Sequence, residues 1–266
     1  MKGLYERDYT KLKSEEIEEK EKIEAENTIV TGTLIVHRNC FCQYPKAVRH
    51  NLSLFPNNYL DINFLKNEKE LRKQCDGFEK LLNDNSITEL DIKRYIQNNG
   101  YYSIPGSIFE RFQTGHHEAV LFKEFSLGTE YKADYLLLGR SSCGWQFIFV
   151  EYENPYGHVI MKNGDFGEIV RKGINQVKDW ERFVEGNFNA IYRELKKYTN
   201  KDLPQEFITY ESARVHYVVV AGRRKYFDEN KKTRSLQLGL RKQNIMLLHY
   251  DNILDDTIDL IGKNTY

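Results

Sequence analysis

Between residues 131 and 155 the chain reads YKADYLLLGRSSCGWQFIFVEYENP, two almost unbroken apolar runs separated by a Gly/Ser turn. Runs rich in Tyr, Leu, Ile, Phe and Val and bounded by turn residues predict strands, here over 131–138 and 145–153 with the turn over 139–144. The same pattern predicts strands over 118–126 (EAVLFKEFS), 215–223 (VHYVVVAGR) and 245–250. Helical spacing takes over elsewhere. Ile169, Ile174, Val177 and Trp180 predict a helix over 168–183, with others over 66–99 (broken at 83–85), 188–198 and 251–261. Ser86 followed by Glu89 reads as a capping box for ITELDIKRYIQNN. Residues 11–26 space Lys and Glu helically with few apolar positions (Leu12, Ile17, Ile23), a solvated helix ahead of an interaction tail. Residues 28–37 alternate as a strand, and 39–63, with Pro45, Pro56 and several Asn, read as loop and short strands.

Assembled, these elements make an α/β domain over 79–266, a mixed sheet with helices on both sides. Residues 1–78 form a small mixed extension of unknown role, and 266 residues suit that division. Composition changes the picture little: 40% apolar residues, 13% aromatic and only 5 Pro mark a globular chain. The formal net charge is zero, so the total does not itself argue for nucleic acid. The segment 214–242 departs from that balance. It carries Arg214, Arg223, Arg224, Lys225, Lys231, Lys232, Arg234, Arg241 and Lys242 against Asp228 and Glu229, a phosphate-binding patch in preference to a solvated helix face. Cys40, Cys42, Cys75 and Cys143 make neither a C-x-x-C pair nor a zinc spacing, as in a reduced cytoplasmic protein. MKGLYERDYTKLK has no apolar core for a signal peptide, and no apolar run approaches the roughly 18 residues of a membrane helix. A soluble cytoplasmic protein with no membrane partner is expected.

The candidate chemistry lies in acids placed on apolar strands. Alternation points Glu151 and Glu153 the same way and Tyr152 the other. If the two strands pair, Asp134 meets Glu151 at one end of the ribbon. Three desolvated carboxylates repel unless a cation neutralises them, and a hard divalent ion such as Mg²⁺, or Mn²⁺, suits oxygen ligands. Glu118 and Glu124 are expected on one face of their strand, with Glu124 flanking the site. Lys132, two residues before Asp134, shares its face and can contact a phosphate, substitute for a catalytic lysine or simply pair with the acids. His116 and His117 beside Glu118, and His37 and His50 near Cys40 and Cys42, read as ordinary surface or packed residues rather than metal ligands.

The order of Asp134, a hairpin, Glu151 and position 153 is similar to the core of the PD-(D/E)xK nucleases. The successive runs EFSLGTEYKADYLLLGR, FIFVEYENP, GINQVKDW, VVVAGRR and LLHYDNILD resemble the C-terminal nuclease domain of the Shedu anti-phage defence proteins, over roughly residues 80–260. The resemblance implies a restriction-endonuclease-like core and a metal-dependent DNA endonuclease, with Asp134 and Glu151 holding Mg²⁺ or Mn²⁺. Where the family carries lysine this chain has Glu153. A few restriction enzymes of the superfamily have Glu-x-Glu here, and such a Glu can accept a proton or bind a second ion. The resemblance also brings Glu89, with Asp91 next, from the helix before the sheet, and Gln176 to orient a water or a phosphate. Arg171, Lys172 and Lys178 on one helix, with Arg223, Arg224 and Lys225, supply cations for a DNA backbone. DNA and further copies of the chain are the expected partners. The departure at Glu153 keeps an alternative open: a DNA-binding or sensor protein with a degenerate nuclease centre.

Overall fold

The structure is a computed structural model that describes residues 3–31, 34–229 and 231–266. Residues 1–2 of the segment read for a leader, residues 32–33 of the predicted 28–37 strand and residue 230 of the basic segment lie outside the described residues. Helix α1 (Ser14–Glu26) buries none of its side chains, as its charge pattern predicts. The 28–37 strand is a hairpin of β1 (Thr28–Thr31) and β2 (Leu34–His37). Helices α2 (Lys46–Leu52), α3 (Glu68–Leu82), α4 (Glu89–Asn99) and the single turn α5 (Ser103–Gly106) then lead into the main sheet.

That sheet has five strands in sequential order: β3 (Glu118–Leu127), β4 (Tyr131–Ser141), β5 (Gly144–Tyr152), β6 (Val215–Val220) and β7 (Ile245–Leu248). β3, β4 and β5 form an antiparallel meander, and β5, β6 and β7 run parallel. Parallel strands need long crossovers. The first is α6 (Glu168–Leu195); the second is α7 (Arg224–Asp228) with α8 (Thr233–Arg241), and α9 (Tyr250–Asp259) closes the chain. The turn predicted over 139–144 shrinks to Ser142–Cys143, because Gly139 and Arg140 stay paired in β4. The two helices predicted over 168–183 and 188–198 are one, kinked at Asn187.

Both faces of the sheet are covered, which is why its strands read as continuous apolar runs. On one face Phe78, Ile92, Ile104 and Ile253 from α3, α4, α5 and α9 pack on Leu121, Leu137, Ile148 and Val218. On the other, Val170, Val177, Trp180 and Leu240 from α6 and α8 pack on Val120, Leu136, Phe149 and Val219. Each such side chain contributes about 1.5–3 kcal/mol by leaving water. The boundary expected at 78/79 falls inside α3. The extension also docks on the free edge of β3: Leu60 N–H donates to Ala119 O and Leu121 N–H to Asn58 O, each at 2.9 Å. Phe55 inserts edge-on against Phe122. A sheet edge left open invites pairing with other chains, and here it is capped. Among the described residues no helix is long and apolar enough to cross a membrane.

Candidate active site

The exits of β5, β6 and β7 lie side by side, the usual position for ligands in open α/β sheets. Glu153 continues the ladder past β5, its N–H donating to Val220 O at 2.8 Å, and Tyr250 Oη donates to Glu153 O at 2.7 Å. Asp134, Glu151 and Glu153 are 7%, 4% and 1% exposed. Alternation holds along β5: Tyr152 enters the α4-side core, while Glu153 turns toward α6. There Gly173 makes room for it, since a Cβ at 173 would lie 3.1 Å from Glu153 Cγ and 2.6 Å from Val219 Cγ1.

Two helices reach into the acids with ammonium groups. Lys93 Nζ of α4 lies 2.7 Å from Asp134 Oδ1 and 2.6 Å from Glu89 Oε1. Lys172 Nζ of α6 lies 2.8 Å from Glu153 Oε2. Asp134 also accepts from Tyr152 N–H at 2.9 Å. The cap of α4 sits two residues later than Ser86. Thr88 is the N-cap and Asp91 closes the box through Thr88 N–H and Oγ1, at 2.9 and 2.7 Å. Ser86 instead bonds Asp84. Glu89 is thereby released from capping, and its own N–H is capped by Asn154 Oδ1 at 3.0 Å, tying α4 to the exit of β5. The second choice from this helix, Asp91, is consumed by the cap. Lys93 escaped the sequence reading, although its spacing of four from Glu89 is that of a helical ion pair.

Burial dominates the electrostatics. It pushes the Glu151 carboxyl up to about 10, with Asp134 and Glu153 adding repulsion. Burial also raises Asp134 against the pull of Lys93, and Glu153 against the pull of Lys172. Lys93 and Lys172 are both raised because their carboxylate partners outweigh their own burial. Glu151 Oε2 and Glu153 Oε1 are buried without a hydrogen-bond partner among the described residues. Like charges at about 4 Å repel by about 4 kcal/mol at an effective dielectric near 20. A carboxylate-only donor set with two unpartnered oxygens therefore fits a hard divalent cation in kind. The set is not a finished cage: among the described residues no three acidic, His or Cys side chains are arranged to hold a metal. Lys93 instead occupies the position between Glu89 and Asp134.

The remaining candidates divide between this site and other places. Gln176 is half-buried on α6, one turn beyond Lys172. Arg171 is exposed and Lys178 half-buried on the same helix, and neither has an ion pair among the described residues. Lys132 is exposed and pairs with Glu124 at 3.3 Å rather than with Asp134. Glu118 and Glu124 part company: Glu118 is buried on Ser53 Oγ and Leu54 N–H, both at 2.6 Å, whereas Glu124 faces solvent. Arg223 is engaged, with Asp251 at 2.9 Å and with Tyr156 Oη and Leu82 O. Arg224 pairs with Asp255, and Lys225 lies over the rings of Tyr156 and Tyr226. His50 is buried against Tyr9, His117 bonds Ser142, and all four cysteines are free.

A five-strand mixed sheet between helical layers, with Asp134 and the Glu151-x-Glu153 pair on adjacent strands, defines a restriction-endonuclease-like α/β protein. The family model described as Shedu protein SduA, C-terminal, matches residues 81–254. The chain belongs to that family, and with it to anti-phage defence. No curated protein matches it significantly.

Proposed function

We propose that the chain is a metal-dependent DNA endonuclease of anti-phage defence, working on phosphodiester bonds where the start of β4 meets the exit of β5. The observation that carries this reading is the buried Asp134–Glu151–Glu153 cluster with its two unpartnered carboxylate oxygens. Asp134 and Glu151 would hold Mg²⁺ or Mn²⁺, which supplies acidification of a water and charge compensation at the phosphate. Glu153, raised by burial, is suited to take the proton of an attacking water. Lys172 has a side chain that is 60% exposed while its ammonium touches Glu153, so it joins the acids to the surface where a phosphate would arrive. Gln176 follows it one turn along α6 and can orient that phosphate. Glu89 and Lys93 hold Asp134 in place. Arg171 and Lys178 would meet the DNA backbone.

A second reading is favoured by Lys93, whose ammonium already neutralises two of the acids, and by Glu153 in place of the family's lysine. In it the centre is degenerate and the chain binds or senses DNA without cutting. A plasmid-nicking assay with Mg²⁺, Mn²⁺ or EDTA, wild type beside Glu151→Ala, separates the two. Cleavage that needs the metal and is lost in the variant is expected; DNA binding with no cleavage under any metal selects the second reading. Assembly into a homo-oligomer belongs to the same proposal and is read by sedimentation.

A further inference from the structure

Two non-glycine residues among those described have positive φ: Asn244 at 59° and Glu124 at 50°. Asn tolerates this left-handed region, whereas a Glu in the middle of a strand pays a steric penalty for it. The backbone at Glu124 changes which way β3 faces. Before it, Val120 and Phe122 enter the α6-side core, and Lys123 reaches Tyr102 on the opposite side. After it, Phe125 and Leu127 enter the α6-side core, although strict alternation would send them the other way.

β4 switches at the same level. Leu136 and Leu138 face α6 and Tyr135 and Leu137 face away, yet Ala133 faces α6. Pairing continues undisturbed on both sides of the switch, with Lys123 opposite Tyr135 and Phe125 opposite Ala133. The residue of β4 directly between those pairs is Asp134. Counting back from Leu136, alternation would put Asp134 on the α6 side, the face that Glu153 takes beside Val219. It emerges instead on the α4 side, 2.7 Å from Lys93 and 2.9 Å from Tyr152 N–H. Re-aiming a side chain beside a functional site is a common use of such irregularities, and strained backbone gathers at such sites. The Glu124 carboxylate itself stays outside the cluster, 41% exposed against Lys132.

We propose that Glu124 is a positioning residue: its left-handed backbone turns Asp134 off the α6-side face and onto Lys93 of α4. Glu124→Gly and Glu124→Val both delete the carboxylate and the Lys132 pair, and only Val resists the left-handed backbone. Two quantities are measured in each background. One is the Lys93–Asp134 coupling, from a double-mutant cycle of Lys93→Met and Asp134→Asn in chemical denaturation. The other is Mg²⁺ affinity by calorimetry. Glu124→Gly is expected to keep the coupling and to bind Mg²⁺ within about threefold of wild type, whereas Glu124→Val loses the coupling and binds about tenfold more weakly. Glu124→Ala falls between them and replaces Val if that variant does not fold. A Val or Ala variant with its coupling intact overturns the proposal. So does a Gly variant that loses it, which would place the role in the carboxylate. The Mg²⁺ measurement rests on the nuclease reading and the coupling does not: a wild type that binds no Mg²⁺ but shows the expected order of couplings sinks that reading and leaves Glu124 in its role.

Discussion

Glu151 is 4% exposed, and its carboxyl is pushed up to about 10 from an ordinary 4.5, first by burial and then by its acidic neighbours. The folded state therefore keeps a proton that the unfolded chain releases, and stability present below pH 4.5 is lost as pH rises toward 10. Glu151→Gln removes that dependence. Its melting temperature should exceed wild type by a margin that widens from about pH 5 to 9, reaching about 1–3 kcal/mol of stability, the scale of a buried group left unsatisfied. Thermal denaturation across that range checks it, and a margin independent of pH would contradict it. Glu153→Lys tests the departure from the family. It places a second ammonium where Lys172 already lies 2.8 Å from the carboxylate, at a cost of about 4 kcal/mol at 4 Å and an effective dielectric near 20. Lower stability and weaker Mg²⁺ binding are expected by calorimetry; a variant that nicks plasmid faster than wild type would refute the role given to Glu153.

Among the elements, α6 decides how closely a helix can approach the acids. Gly173 is buried where α6 crosses Val219 and Glu153. On helix propensity alone Gly173→Ala should stabilise by about 1 kcal/mol. The contact at 2.6 Å to Val219 Cγ1 reverses that sign, and a loss of about 1–3 kcal/mol is expected, as for overpacking. Urea denaturation gives the answer, and a stabilised variant would mean that α6 can move away from the sheet. Gly173 was invisible as a functional position because a helical Gly has no local pattern that announces its neighbour. The cap of α4 shows a related limit. Ser86 and Thr88 are both good caps by type. The docking of Asn154 on Glu89 N–H belongs to the arrangement in which Thr88 wins, and residues 65 apart in sequence cannot signal that to one another.

For the whole molecule, net charge zero hides a division between cations held by carboxylates and cations left to solvent. Arg223 belongs to the first kind, locked to Asp251 beside the exit of β6. Arg171, exposed, and Lys178, half-buried, have no ion pair among the described residues. Replacing Arg171 and Lys178 together by Gln should lower the slope of log affinity for DNA against log salt by about two, roughly 0.9 per phosphate contact. Arg223→Gln should leave the slope nearly unchanged and instead cost about 2 kcal/mol of stability, the scale of a charged hydrogen bond. A fluorescence salt titration with matched denaturation curves checks both. A large slope change at Arg223 with none at α6 would place the DNA on the other side of the β5–β7 exits.

The sequence by itself determined the hairpin of β4 and β5, the burial of both strands and the common direction of Glu151 and Glu153. Each follows from alternation between near neighbours along one strand. The α6 helix and the exposed α1 were legible for the same reason, since periodicity is a property of adjacent turns. Only the tertiary structure decided that Lys93 sits between Glu89 and Asp134, that Arg223 is bound to Asp251, and that the 1–78 extension caps β3. It also decided the face on which Asp134 emerges, because a change of φ at Glu124 shifts the alternation of both strands and leaves no mark in residue type. Pairing partners, and the backbone angles that aim them, are set by elements distant in sequence meeting at one sheet edge, where burial makes every unpartnered charge costly.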